Sequence, residues 1–510
     1  MLNKYVWELY LKSGGDQVVQ FFENAFSSPK AFTENDVEQI AEFHRYYCAS
    51  KDLTESIKEQ LFDLVSFYKS HDGNNECGEE EYNNQDDGES EESVDEYIEL
   101  KFDEMYKIWF KKYETDKDVF NHFSNRIEEI TTEISIFYTD IFVPYYFFAN
   151  YNLLTKIADA FDISLPDLPM KSNYKERTWH YARICQSLYR FRESNNISNF
   201  ELFAFLYDFA PKYIGGIGSY IIENLPEPKA AYFIGGGGNN ADATAEDESE
   251  AIVYWQCNPD TRAGDMIVMY LRTPISAISS VWRSMSVGFI DPFFYYYRCT
   301  YIGKPQKIER ISIRTIKTDP ILGQMPVVSK NLQGINGVEL KPSEYNHIVE
   351  CSGITLPMLE YATIERKDQY VNERQVEEEL IKPLLKKLGY GEDDYERQMY
   401  IEIGNHNHAL IPDFVLVPVN TSNHYSGAVI VEAKRSIINE KQLNEAKAQV
   451  RSYAKLLGAR YTVIASMEKV WVTSNKDDYT KSIYEHTWNE MTEPDIFHSL
   501  EKYIGKRCFR

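Results

Sequence analysis

Two carboxylates and a lysine stand close together in the last quarter of the sequence. Asp413 follows Pro412 at the head of an apolar run, and Glu432 and Lys434 close a second apolar run that begins at Ala428. In a strand, residues i and i+2 share a face, so Glu432 and Lys434 point together while Ala433 points away. A hairpin that pairs the two runs brings Asp413 to the same edge. Such a grouping suits metal-assisted phosphodiester hydrolysis: carboxylates hold a hard divalent cation through oxygen, and the lysine positions or activates the attacking water. An E-x-K pair on a strand is also a common solvated face, but the approach Ala428-Val429-Ile430-Val431 is too apolar for a surface strand.

The elements that must position these groups are legible around them. A helical segment carrying Gln449 and Tyr453, one turn apart, follows the hairpin, and Tyr461–Ala465 reads as a further strand. Tyr395–Ile403 is a plausible first strand. Between it and Asp413, His406 and His408 read as turn residues, as does His424 in the hairpin loop. Upstream, residues 371–390 form an amphipathic helix with apolar face Leu380, Ile381, Leu384 and Leu388, ended by Gly389. Stepping along that face at helical spacing reaches Glu377 and Glu373. An acid there needs a cation or donor partner, or sits at the solvent boundary where the helix dipole favours it.

Asp413, Glu432-Ala433-Lys434 and Gln449-x-x-x-Tyr453 resemble the PD-(D/E)xK nuclease superfamily, whose RecB-like and type I restriction branches carry a Q-x-x-x-Y element. The helix before them, with its L-G-Y end, is similar to the start of the N-terminal nuclease domain of type I restriction subunits. The resemblance implies Asp413 and Glu432 as metal ligands, Lys434 as the catalytic lysine, and Gln449 and Tyr453 as DNA-contacting or site-supporting positions. It adds Glu377, with Glu373 as second choice, as a further acid at the metal. The cofactor it implies is Mg²⁺, with Mn²⁺ able to substitute.

The 510 residues allow two to four domains, and 43% hydrophobic with 14% aromatic content is that of a globular protein. Apolar stretches are too short for a membrane span. No signal-peptide core follows Met1, so a cytoplasmic location is expected. Seven scattered cysteines without a CxxC pair suit reduced thiols. The net charge of −25 is uneven: residues 72–96 hold twelve acids and no Lys or Arg, whereas 434–460 hold seven basic residues against two acids, a net of +5. Contact with DNA depends on local sign, not on the total.

Residues 1–225 read as an α-helical region interrupted by the acidic linker 72–96. Its aromatic stripes, Phe137 to Phe148 among them, read as core. Residues 226–250 read as a break; Gly235 to Gly238 lack the GK[ST] of a phosphate loop. From 251 to 350 the period changes to that of strands: 251–257, 265–271, 293–301 and 308–313. Trp255 in the first of these, Gly264-Asp265 before the next, and the late Gln333-Gly334 give this region a looser resemblance to PUA-like barrels of the EVE type, which enclose a modified base. That resemblance implies Trp255, Asn258 and Trp282 as base-binding residues; aromatic faces and amides are what a flipped base requires. The other reading places the two tryptophans in the barrel core.

The expected architecture is therefore multidomain: a helical region, a PUA/EVE-like β-barrel at 251–350, and a C-terminal α/β restriction-endonuclease-like domain with a mixed sheet at 371–510. A reader of modified bases joined to a nuclease resembles modification-dependent restriction in anti-phage defence. The alternatives are a repair nuclease for branched or damaged DNA and a non-catalytic nucleic-acid sensor. Without a GxxxxGK[ST] motor element, the chain cannot translocate DNA alone. Cutting both strands favours a homodimer, since one metal site cuts one strand at a time.

Overall fold

The computed structural model describes residues 2–48, 50–70, 94–215, 221–222, 224–237, 252–359, 364–367, 369–403, 408–421 and 424–509. Most of the acidic segment, His406 and Gly238 lie outside them. The side chains of His408 and His424 are likewise not described. The chain divides into two compact units. One comprises Met1–Glu227, Tyr232–Arg310 and Gln333–Val338; the other comprises Pro228–Ala231, Ile311–Leu332 and Glu339–Arg510.

The first unit is helical over its N-terminal two-thirds, and local sequence sets the helix starts. Thr33 and Asp36 form a capping box ahead of Glu34–Tyr47, Ser198 and Glu201 form another ahead of Asn199–Ala204, and Asn173 caps Tyr174–Asn195. Asp95 and Glu96, expected in the linker, belong to the first turn of the helix Val94–Trp109. The aromatic run after Phe137 is core, as expected, but it is not helical. Phe142, Tyr145, Tyr146 and Phe147 are buried on an irregular segment. Pro144 within that segment lacks the N–H a helix needs, and Phe137 itself is exposed.

The helices do not form a domain separate from the strands that follow. Phe289, Phe293, Phe294 and Tyr301 join the same hydrophobic core as Phe123, Phe142 and Tyr181. Arg177, buried on the Tyr174–Asn195 helix, donates from Nε to Pro292 O at 2.7 Å and from Nη2 to Phe294 O at 2.9 Å. The strands follow the path Val253–Gln256, Arg298–Ser312, Ala277–Ser284, Met266–Leu271 and Ala231–Gly236, with Phe289–Ile290 also paired to Arg298–Ser312. No pairing closes this path into a ring among the described residues, so the β region resembles half a barrel. Three expectations change here. Ala231–Gly236 is a strand inside the supposed break, Ala277–Ser284 is a strand that the period did not reveal, and Phe293 to Tyr297 is a turn leading into one long strand. Every residue of Met266–Leu271 is buried, so it lacks the alternation of a half-exposed strand.

In the second unit a mixed sheet runs in the order Tyr484–Thr487, Lys469–Ser474, Tyr461–Ala465, Val429–Ala433, Phe414–Leu416 and Tyr395–Arg397. Val429–Ala433 pairs parallel to Tyr461–Ala465, and the helix Glu440–Leu457 makes the crossover between them. Alternation divides the sheet between two apolar clusters. Ile430, Val415 and Ile464 pack with Val450, Tyr453 and Ala454 of that helix, whereas Val431, Phe414 and Val463 pack with Leu380, Leu384, Phe497 and Leu500. Gly427 lets the chain enter its central strand: a Cβ there would lie 2.3 Å from Val415 Cγ1. The helix expected at 371–390 runs as Glu373–Val376, a wide π turn Glu377–Ile381, and Lys382–Lys387. Pro383 explains the wide turn, because its ring displaces the carbonyl four residues back and removes a helical hydrogen bond. Gly389 follows at a φ of 91°, a left-handed conformation suited to glycine at a helix end.

The thiols of Cys48, Cys185, Cys257, Cys299 and Cys351 form no disulfide among the described residues. Among the described residues no helix is long and apolar enough to cross a membrane.

The first unit buries an acid that no cation among the described residues neutralises. Glu128 is 2% exposed, its Oε2 has no hydrogen-bond partner, and burial pushes its pKa from 4.5 up to about 8. A carboxyl raised in the folded state contributes stability below its unfolded pKa and loses it as pH rises through the folded value. Glu128→Gln is therefore expected to melt progressively higher than the parent chain between pH 5 and pH 9, by roughly 3–5 kcal/mol at the alkaline end. A melting-temperature difference that stays constant across this range would show that Glu128 titrates normally.

Candidate functional site

The register of the central hairpin brings the chemistry together. Phe414 pairs with Val431 in antiparallel fashion, which sets Asp413 opposite Glu432. The pairing is fixed by the carboxylate itself, since Asp413 Oδ2 accepts the Ala433 N–H at 2.7 Å. Lys434 continues the parallel pairing through its own N–H, which donates to Ala465 O at 2.9 Å. Lys434 Nζ donates to Glu432 Oε1 at 2.7 Å, as expected from residues two apart on one strand face.

The crossover helix starts where Asn439 accepts from Gln442 N and ends at Gly458 in the left-handed region. This phase aims Gln449 at the strand end. Its Nε2 donates to Glu432 Oε1 at 2.7 Å and to the Tyr453 hydroxyl at 2.9 Å. Asp413, Glu432, Lys434, Gln449 and Tyr453 are thus brought to one place.

Electrostatics mark the centre as strained in the absence of a further cation. Burial, followed by the charge of Asp413, pushes Glu432 from 4.5 up to about 7. Asp413 is raised by burial and by the charges of Glu377 and Glu373, against the Ala433 N–H and Lys434. For Lys434, burial acts to lower the pKa. The hydrogen bond to Glu432 and the charges of Glu432, Glu373 and Asp413 outweigh it, and the ammonium is held above its ordinary range. Glu432 Oε2 is buried without a hydrogen-bond partner.

That orphaned oxygen beside a second carboxylate fits a divalent cation, whose preference is for hard anionic oxygen. Asp413 and Glu432 are the two groups able to hold it. Among the described residues no three carboxylate, imidazole or thiolate groups stand together as a ready metal cage. A site of two carboxylates is what Mg²⁺ uses when it retains several waters.

Glu377 has the cation partner that a core-facing acid needs. It is buried, its Oε2 accepts from Arg397 Nη2 at 2.6 Å, and Arg397 Nη1 donates to Glu378 Oε1 at 2.7 Å. Its charge reaches Asp413, but its oxygen is engaged with a guanidinium. Glu373 is exposed in the first helical turn, and its charge acts on Asp413, Glu432 and Lys434. Sequence reasoning passed over Arg397. The available signal was a basic residue in the first strand that no salt-bridge spacing explained; it pairs across from Phe414 and lies 5.2 Å from that ring.

Each of the three residues expected to bind a base has a partner within the protein. Trp282 is 1% exposed with its indole N–H donating to Ser280 Oγ at 2.9 Å, which makes it core. Asn258 holds a turn, donating to Gly337 O at 3.1 Å and accepting from Asp260 N at 2.9 Å. Trp255 is half-buried and donates to Gly235 O at 3.3 Å.

No protein-family model matches the chain, and no curated protein matches it. Among solved structures there is a likeness to the NMR structure of Rpa0253 from Rhodopseudomonas palustris. It covers 24% of this chain and 92% of that one, at 13% identity and a TM-score of 0.21, and carries no argument about fold or function.

The mutual repulsion of the two carboxylates has a measurable consequence. Asp413→Asn keeps an oxygen for the Ala433 N–H and removes one charge. At pH 8 without divalent metal it is expected to raise the melting temperature by ~2–4 °C, the effect of about 1 kcal/mol in a domain of this size. A decrease in thermal melting would show that the pair is not strained.

Proposed function

We propose that the chain is a metal-dependent DNA endonuclease of the PD-(D/E)xK type. The observation that carries this reading is the convergence of Asp413, Glu432, Lys434 and Gln449 at the end of the central strand, with a buried Glu432 oxygen left unpartnered. Asp413 and Glu432 would hold Mg²⁺, or Mn²⁺ in its place. When bound there, the ion supplies Lewis-acid activation of the phosphodiester and of a water.

The protein's own groups divide the remaining work. Lys434, kept as an ammonium, has no lone pair to take a proton; it orients the nucleophilic water and stabilises charge developing on phosphate oxygens. Gln449 fixes the rotamer of Glu432, and the Tyr453 hydroxyl fixes Gln449. Arg397 neutralises Glu377, so that this acid does not add a further unpaired charge beside Asp413. The basic flank from Lys434 to Arg460 supplies positive charge for a phosphate backbone in an otherwise acidic chain. Restriction of DNA carrying modified bases is the biological setting we favour, with Trp255 as the remaining aromatic candidate for base capture.

Plasmid DNA incubated with the full chain and Mg²⁺ is expected to be cleaved, and EDTA to stop the reaction. Lys434→Ala and Asp413→Ala should each lower the rate by roughly 10²-fold or more, the scale of removing one electrostatic group from such a centre. Cleavage that survives both changes excludes the site. On methylated and hydroxymethylated DNA the rate should exceed that on unmodified DNA; equal rates on all three remove the modification-dependent reading and leave the nuclease reading in place.

A further inference from the structure

The first unit contains a cavity of about 160 Å³ to which the functional reading above assigns no role. It lies where the helix Asp116–Asn125 and the start of Tyr174–Asn195 meet the turn after Ile290. We propose that it binds a single unpaired nucleotide, the base held among tyrosines and amides and the phosphate held by lysines.

Three kinds of side chain line it. Tyr295 and Tyr296 supply aromatic surface, with ring centres 5.5 Å apart at 65°. Tyr295 is 68% exposed and takes part in no hydrogen bond among the described residues, so its ring is accessible to a ligand. Tyr174 adds a third ring, which itself packs against Phe120. Rings that accept a base by stacking do so with little sequence preference.

The polar groups suit an aromatic heterocycle rather than a plain hydrocarbon. Gln256 Oε1 accepts from Asn336 Nδ2 at 2.8 Å, which orients the amide and leaves Nε2 to donate. Asn121 brings a second amide whose side chain has no partner among the described residues. Amides offering donor and acceptor together are the groups that read a base edge.

The charge selects an anionic ligand. Lys117 and Lys171 are exposed at the cavity, neither has a carboxylate partner among the described residues, and no acidic residue lines the wall. In a chain of net charge −25 that is a local reversal of sign. Lysine ammoniums act as point charges for phosphate. The volume is below the roughly 300–1,000 Å³ of a drug-sized ligand pocket, so it suits one ring system and excludes a base pair. An acidic peptide would occupy the lysines but leave the tyrosines and oriented amides without a role.

The cavity belongs to the first unit and the Asp413 centre to the second, and its test is arranged to succeed or fail independently. Binding is measured in EDTA on the full chain carrying Lys434→Ala, so that cleavage plays no part. The probes are a short dye-labelled single strand, the blunt duplex of the same sequence, and free deoxynucleoside monophosphates as competitors. The single strand should bind more tightly than the duplex. Tyr295→Ala should weaken it by about tenfold, and Lys117→Glu with Lys171→Glu should weaken it while flattening its salt dependence. All three positions are exposed, and unchanged thermal melting verifies that the variants fold. Displacement by monophosphates assigns the site to free nucleotides as well as strands, whereas binding of the strand alone assigns it to nucleic acid. Affinity for both probes that is unaltered by Tyr295→Ala and by the two lysine reversals overturns the proposal.

Discussion

The second unit depends on the register between Phe414–Leu416 and Val429–Ala433. In a sheet with period two, a slip of one residue exchanges its faces. Such a slip would take Glu432 away from the Gln449 helix and bring Val431 into its place. Apolar packing on both faces resists that exchange, because Val415 and Ile430 fit one cluster while Phe414 and Val431 fit the other. The hydrogen bond from Ala433 N–H to Asp413 adds a polar lock at the strand end. The same contact therefore sets the hairpin and orients one of the two acids.

This double use explains why the centre combines tight packing with unfavourable charge. Ordinary cores pair or exclude buried acids, since desolvation of a carboxylate is costly without compensation. Glu432 receives Lys434 and Gln449 on one oxygen only, and its other oxygen is buried without a partner among the described residues. Departures of this kind from local consistency gather at functional positions. The Arg397–Glu377–Glu378 group, a short distance away in the same sheet and helix, shows the opposite arrangement, with one guanidinium bridging two acids.

Local patterning revealed the parts of the molecule that rest on short-range rules. The E-x-K strand, the Q-x-x-x-Y helix and the Gly389 stop were readable because period, apolar runs and left-handed glycine act over a few residues. What the pattern hid was long-range. Ala277–Ser284 is buried along nearly its whole length, so its strand period is masked. The union of the helical region with the middle sheet comes from contacts such as Arg177 to Pro292, 115 residues apart. Glu377 was recognisable as a core-facing acid, but its partner Arg397, 20 positions away, was not. Trp282 and Asn258 illustrate the same limit, since residue type suggested a ligand site while packing made one a core ring and the other a turn support.

The peptide N–H of Lys434 donates to Ala465, and the strand behind it is covered on both faces. The lysine is thereby anchored to a strand buried along its whole length, where local opening approaches global unfolding in cost. A centre mounted on such a strand cannot be dismantled by a loop movement and restored on demand. Control over it has to act on what reaches it, because the cluster of side chains itself stays assembled for as long as the unit is folded.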